Sequence, residues 1–274
     1  MKAVGIVAEY NPFHGGHQYQ IRKIRESCGA DTPVVAVMSG DFVQRGEAAS
    51  YDKFTRAEAA VRGGVSLVIE LPLPWSLSSA EGFARGGVGL LGATGVVGTL
   101  SFGSESGNLS AIEKTAAVLD TPEYNEALKA MLAGGTPFAA ARAGAARALL
   151  GNTAAVLNTP NDLLAVEYLR ASAKLGHTFK YIPVRREGSV HDGAGSASEL
   201  RALLREMKTR AALPVITKSA RIRDENETAR HVFDLGSRAH DLLVLGWQNR
   251  AAQAADSDYR ATPYASVHDN QERV

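Results

Sequence analysis

Apolar residues fall along this chain in short, nearly unbroken runs at 3–8, 34–38, 67–71, 99–102 and 179–184. Unbroken rather than alternating runs of this length are the pattern of strands covered on both faces. Between them, apolar positions recur with helical spacing over 18–27, 53–62, 78–91, 110–119 and 161–175. Strand and helix in alternation predict parallel strands joined by right-handed crossovers, hence an α/β fold with a doubly wound parallel sheet. The alanine-rich stretch 121–150 has no strand signal and predicts one or two helices packed on that sheet.

Ligands of doubly wound sheets bind beyond the carboxyl ends of the strands, so chemistry is expected just after each apolar run. The first run leads into Asn11-Pro12-Phe13-His14-Gly15-Gly16-His17, and the second into Ser39-Gly40-Asp41-Phe42-Val43-Gln44-Arg45-Gly46-Glu47. The third ends in Glu70-Leu71-Pro72, the fourth in Phe102-Gly103-Ser104-Glu105 and the fifth in Arg185-Arg186.

Composition narrows the function classes. The chain has 274 residues, 45% hydrophobic and 22% charged, with a formal net charge of +1. Those values are ordinary for a soluble globular protein, and bulk charge does not advertise nucleic-acid binding. The single cysteine, Cys28, rules out an internal disulfide and a cysteine-based metal site, and is expected to be inert and half-buried. The first apolar run is too short for a signal peptide, and no run approaches the roughly eighteen residues of a membrane span, so a cytoplasmic location is expected. The pattern changes after Arg210. Residues 1–210 are expected to form the main domain, 211–264 a short C-terminal portion packed on it, and 265–274 a frayed polar tail.

His14 and His17 are three apart at the start of a helix, so both rings lie on one face of its first turn. A helix start also offers unpaired backbone N–H groups and the positive end of the dipole, an anion site in its own right. Gly15 and Gly16 allow a ligand to approach the backbone closely. Together these suit a triphosphate, with the histidines donating to oxygens that gain charge as pyrophosphate leaves. The plainer reading is a pair of histidines capping a helix. A zinc site on this pair lacks a visible third ligand. Ser196-Ala197-Ser198-Glu199-Leu200-Arg201 reads either as a second anion cradle or as a capping box. Glu105 could bind a ribose hydroxyl or cap a helix; Asp162 could cap the helix that begins near it; Asn161 could start that helix or read an adenine or ribose.

The block from Gly5 to His17 resembles the ATP-binding opening of the bacterial tRNA(Met) cytidine acetate ligases, within the HxGH nucleotidyltransferase superfamily that shares ancestry with class I aminoacyl-tRNA synthetases. Residues 38–47, Val68-Ile69-Glu70-Leu71-Pro72, Phe102-Gly103-Ser104-Glu105 and the block from Pro160 to Tyr168 are similar to the same family, and Ser196–Arg201 resembles the superfamily's second phosphate motif. The resemblance spans residues 1 to about 205. It implies the HxGH nucleotidyltransferase type of sheet with a small C-terminal appendage, and an ATP site on Ile6, Val7, Ala8, Glu9, Tyr10, Asn11, Pro12, Phe13, Gly15, Gly16, Gln18, Tyr19, Gly103, Asn161, Arg185 and Ser198.

It further implies that acetate attacks the α-phosphorus of ATP, giving acetyl-adenylate and pyrophosphate, and that N4 of the wobble cytidine of elongator tRNA(Met) then takes the acetyl group. His14, His17 and Arg201 would be the catalytic residues, Ser198 and Arg201 holding the outer phosphates, with Mg²⁺ arriving on the nucleotide and no protein-made metal cage. Family members are longer, with a helical region before a C-terminal portion; here 213–218, 241–245 and 258–260 resemble that portion and follow almost directly on the nucleotide domain. The alternatives are an adenylyl or cytidylyl transferase acting on a small phosphorylated substrate, and a nucleotide-binding module without catalysis. Oligomeric state is not legible in the sequence.

Overall fold

The computed structural model describes residues 2–186 and Arg201. The expected C-terminal portion, the tail and Ser198 lie outside the described residues. Strands β1 (Ala3–Ala8), β2 (Val34–Ser39), β3 (Leu67–Leu71), β4 (Val97–Ser104) and β5 (Lys180–Arg185) form one parallel sheet in the order β3-β2-β1-β4-β5. The fully buried β2 and nearly fully buried β1 occupy the middle of the sheet, as their unbroken apolar runs require. Pro183 sits on β5, at the sheet edge, where a missing N–H is tolerated.

Helices cover both faces. Helices α1 (Gly15–Cys28) and α2 (Lys53–Arg62) pack over Val4, Ile6, Val34, Ala36 and Met38. The opposite face, with Val7, Val35, Val37, Leu100 and Phe102, receives α4 (Ala80–Ala93), α5 (Leu109–Val118) and α8 (Pro160–Lys174). A β-carbon added at Gly87 would come within 2.6 Å of Val7, so glycine there lets α4 lie close on β1. The alanine-rich middle folds as α6 (Pro122–Ala133) and α7 (Phe138–Leu150), followed by a 3-10 segment over Gly151–Asn158; α3 (Leu73–Ser76) is a single turn after Pro72. Pro122 and Pro160 open their helices, where a missing N–H leaves no bond unmade. Buried Glu167 on α8 pairs with Arg142 of α7 and Arg170, which also reaches Asp120, tying that layer together.

Strand order reverses between β1 and β4, which leave the sheet side by side and whose crossovers pass over opposite faces. A crevice at that switch point is where this fold takes ligands. Two expectations need correction. Cys28, at the last residue of α1, is exposed rather than half-buried. The helix starting at residue 78 in sequence begins at Ala80, because Ser79 caps it through Gly82 N–H.

Candidate active site

The loop from β1 to α1 is held from below. Tyr10 takes φ +46° and its ring is buried against Phe13 and His17, with centroids 5.1 and 4.8 Å away. Phe13 lies over Gly63 at the end of α2, where any β-carbon would strike its ring. The Asn11 side chain accepts from Ser50 N–H at 2.7 Å, and Glu9 accepts from Gln44 N–H at 3.0 Å. These bonds fasten the β1 loop to the segment following β2.

Arg56 supplies the strongest fastening. Its side chain, on α2, is buried. It donates to the carbonyls of Tyr51, Glu9, Ser39 and Gly40, at 3.1 Å for Tyr51, 2.5 Å for Glu9 and 3.1 Å for Ser39. Burial lowers its pKa, while Asp41, Glu9, Asp52 and Glu70 oppose that shift. One guanidinium thereby ties together the backbone just beyond β1 and β2.

On this base stand the two histidines. His14 N–H donates to Nδ1 of His17 at 3.2 Å, and Nδ1 of His14 accepts from Gly16 N–H at 3.0 Å. The rings are 4.0 Å apart. An imidazole nitrogen that accepts is unprotonated, so each neutral ring carries its proton on Nε2. Both pKa values fall below the ordinary 6.5. For His14 the causes are burial and then the charges of Arg186 and Arg201; His17 falls further, through burial, His14 and Arg186. The pair at neutral pH is therefore two neutral imidazoles, each with an Nε2–H to donate.

This arrangement revises the expected anion site. The backbone N–H groups of His14 and Gly16 are not open to a ligand, because the imidazoles accept from them. The plainer reading holds: the histidines cap α1, and capping fixes which ring nitrogen is left to donate. Gly16 also has a different reason from the expected ligand approach. A β-carbon there would lie 2.8 Å from His14 Cε1 and 3.1 Å from its Nδ1, so glycine is what lets the His14 ring fold over the turn.

Arg201 is brought to this loop, donating from Nη1 to the Asn11 carbonyl at 3.0 Å. Arg185 ends β5 opposite Ser104 and lies against Gly107, whereas it is Arg186 whose charge acts on both histidines. Arg186 N–H donates to the Ser104 carbonyl at 2.9 Å, carrying the β4–β5 pairing one step beyond β5. Its sequence signal is its place beside Arg185, just after the fifth apolar run.

Of the remaining expected contacts, Ile6 and Val7 have buried side chains on opposite sheet faces, and Tyr10 is buried under His17. These residues can meet a ligand only through their backbone. Ala8 ends β1, Pro12 is half-buried, Gly15 opens α1 and Gln18 is exposed on its first turns. Tyr19 carries Arg22 and Lys23 over its ring, at 5.1 and 5.5 Å. Arg45 is exposed in the turn closed by Gly46 N–H and the Val43 carbonyl.

At the end of β4, a β-carbon on Gly103 would meet no described residue nearer than Arg186 at 3.8 Å. Packing among the described residues does not require glycine there. Glu105, for which ribose binding and helix capping both stood open, caps α8. It accepts from Asn161 N–H, Asn161 Nδ2 and Asp162 N–H at 3.2, 2.6 and 2.9 Å. Asp162 is buried and accepts from Ser104 Oγ, from Ser106 N–H at 3.0 Å and from Thr159 Oγ1 at 3.2 Å. Among the described residues, no three His, Cys, Asp or Glu side chains gather where they could hold a metal ion. No helix among them is long and apolar enough to cross a membrane.

Comparison with known proteins gives this geometry its kin. The model of the HIGH Nucleotidyl Transferase family matches residues 1–201. The tRNA(Met) cytidine acetate ligase of Syntrophotalea carbinolica is 46% identical over 199 residues, 71% of this chain and 47% of that protein. The Clostridium acetobutylicum protein of the same name is 41% identical over 254 residues, 89% of this chain and 60% of its own. Among solved structures, Thermotoga maritima TmcAL bound with alpha-thio ATP superposes with a TM-score of 0.70 at 41% identity, covering 75% of this chain and 51% of that one. This chain spans about half the length of the Syntrophotalea and Thermotoga proteins and three-fifths of the Clostridium one. With the family's model matched from the first strand through Arg201, the chain belongs to the HIGH nucleotidyl transferase family.

Proposed function

We propose that this protein uses ATP to activate acetate as acetyl-adenylate and passes the acetyl group to N4 of the wobble cytidine of elongator tRNA(Met), a reaction that belongs in the cytoplasm. The observation that carries the proposal is that His17 Nδ1 accepts from His14 N–H and His14 Nδ1 from Gly16 N–H, which leaves two neutral Nε2–H donors side by side at a helix start in the crevice. The names of the relatives and the alpha-thio ATP bound by the Thermotoga protein support the choice of nucleotide and acceptor.

In this reading His14 and His17 donate to α-phosphate oxygens as acetate attacks and pyrophosphate departs. Neutral donors suit that task, since they stabilise charge that develops in the transition state without moving a proton. Arg201 and Arg186 neutralise the outer phosphates from one side of the pair, and Ser198 joins them as the resemblance implies. The nucleoside lies along the end of β4, where Gly103 leaves room, and reaches Asn161 and Arg185. Mg²⁺ travels on the phosphates rather than in a cage of side chains. The enzyme needs no covalent nucleophile: positioning two anions in line supplies most of the rate.

Incubation with ATP, labelled acetate and bulk tRNA tests the whole proposal. Label recovered as N4-acetylcytidine, dependent on ATP, is the expected result. Acetyl-adenylate formation without label in tRNA would confine the chain to activation, and no acetate activation at all would overturn the proposal.

A further inference from the structure

Glu105 directly follows β4, and its carboxylate receives every donor offered by the first turn of α8 that reaches it: Asn161 N–H and Nδ2 on Oε1, and Asp162 N–H on Oε2. Two consequences follow from elementary chemistry. A carboxylate accepts and does not donate, so the amide of Asn161 must present its NH₂ to Glu105 and turn its carbonyl oxygen away. The negative charge at the start of α8 also occupies that helix's anion site, so phosphates are excluded there and favoured at α1, where Arg186 and Arg201 act on the histidines.

We infer that Glu105 is a positioning residue that fixes the side-chain amide of Asn161 so that its Oδ1 reads a hydrogen-bond donor on the nucleoside of the bound triphosphate. This rests on the nucleotide site proposed above. Asn161 is half-buried, and its Oδ1 takes no hydrogen bond from any described residue, while the Nδ2 end is held at 2.6 Å. An acceptor fixed in this way selects for a donor and against an acceptor at the same place. A site built around such a bond rejects an analogue that lacks the donor far more strongly than an apolar pocket would. On an adenosine nucleotide the donors are the exocyclic N6 amine and the ribose hydroxyls.

The test is calorimetric titration of the full chain with ATP, inosine triphosphate, 2′-deoxy-ATP and 3′-deoxy-ATP. Inosine triphosphate replaces the amine by a carbonyl oxygen, and each deoxy analogue removes one hydroxyl. The wild type should reject one of the three by tenfold or more relative to ATP, and the analogue rejected identifies the donor. Glu105→Ala, which frees the amide to rotate, should bring that ratio to within about twofold. Glu105→Gln keeps an acceptor against Asn161 and should retain the ratio. Equal affinity of the wild type for all four nucleotides, an undiminished ratio in folded Glu105→Ala, or loss of the ratio in folded Glu105→Gln would each overturn the inference. If Glu105→Ala does not fold, Glu105→Gln and Asn161→Ala decide it: the first must retain the ratio and the second must lose it. Failure of the wild type to bind ATP at all would instead overturn the nucleotide site itself.

Discussion

His14 and His17 are bonded to each other through the backbone: His14 N–H donates to His17 Nδ1 at 3.2 Å, and the His14 ring turns back to accept from Gly16 N–H at 3.0 Å. The pair is at once a helix cap and a set of oriented donors. Nitrogen NMR of the chain without nucleotide should report both rings as Nε2–H tautomers at neutral pH, with midpoints below 6.5 and His17 the lower. A midpoint at or above 6.5, or an Nδ1–H tautomer in either ring, would contradict the arrangement.

The same shifts fix the sign of a stability effect. Above about pH 6.5 both imidazoles are neutral in the folded and unfolded chain and make no difference to folding. As pH falls below that value the unfolded chain binds protons first, so stability declines until the folded rings titrate in turn. Replacing both histidines with glutamine should flatten this part of the stability profile, as followed by denaturant titration between pH 7 and 4.5. An unchanged slope would contradict it.

Gly16→Ala should act on the site more than on the fold. Its methyl would meet the His14 ring at 2.8 Å, so the ring must swing away and release the Gly16 N–H. Loss of a cap bond costs about 1 kcal/mol of stability. The activation rate should drop by about tenfold or more, because one donor is no longer aimed. A variant that melts like wild type and keeps its rate would contradict this account of Gly16.

Gly103→Ala gives the opposite signature. The added methyl finds ordinary contact distance at Arg186, so the fold should be unaffected in thermal melting. Affinity for ATP should fall by tenfold or more, because the methyl occupies room assigned to the nucleoside. Unchanged ATP affinity would remove Gly103 from the site.

Arg56→Met should be among the most damaging single changes. It strips donors from four carbonyls at the strand ends, and each buried group left unsatisfied costs about 1–3 kcal/mol. The midpoint of chemical denaturation should move accordingly. A shift below about 1 kcal/mol would show that water replaces the guanidinium.

Strands and helices were legible because their burial leaves an unbroken or periodic record in the chain, and β1, β3 and α2 begin and end where the pattern changes. The position of the candidate site was legible for the same reason: each chemical block follows a strand. What sequence could not supply was the direction of individual bonds. Arg56 is one arginine among many on helices, and only the close approach of the β1 and β2 ends makes it a hub. Gly16 reads as room for a ligand until the His14 ring is seen to fill that room. Glu105 carried two readings, separated only by the three N–H groups that converge on its carboxylate. Arg186 stands beside Arg185, and the end of β5 decides which of them influences the histidines.

Acetate-dependent exchange of labelled pyrophosphate into ATP tests the central claim most directly, with wild type and His17→Ala compared. The account predicts exchange only when acetate is present, and its loss by at least a hundredfold in a His17→Ala variant that retains its fold. Exchange that ignores acetate but answers to a phosphorylated metabolite, or wild-type exchange in the His17→Ala variant, would contradict it.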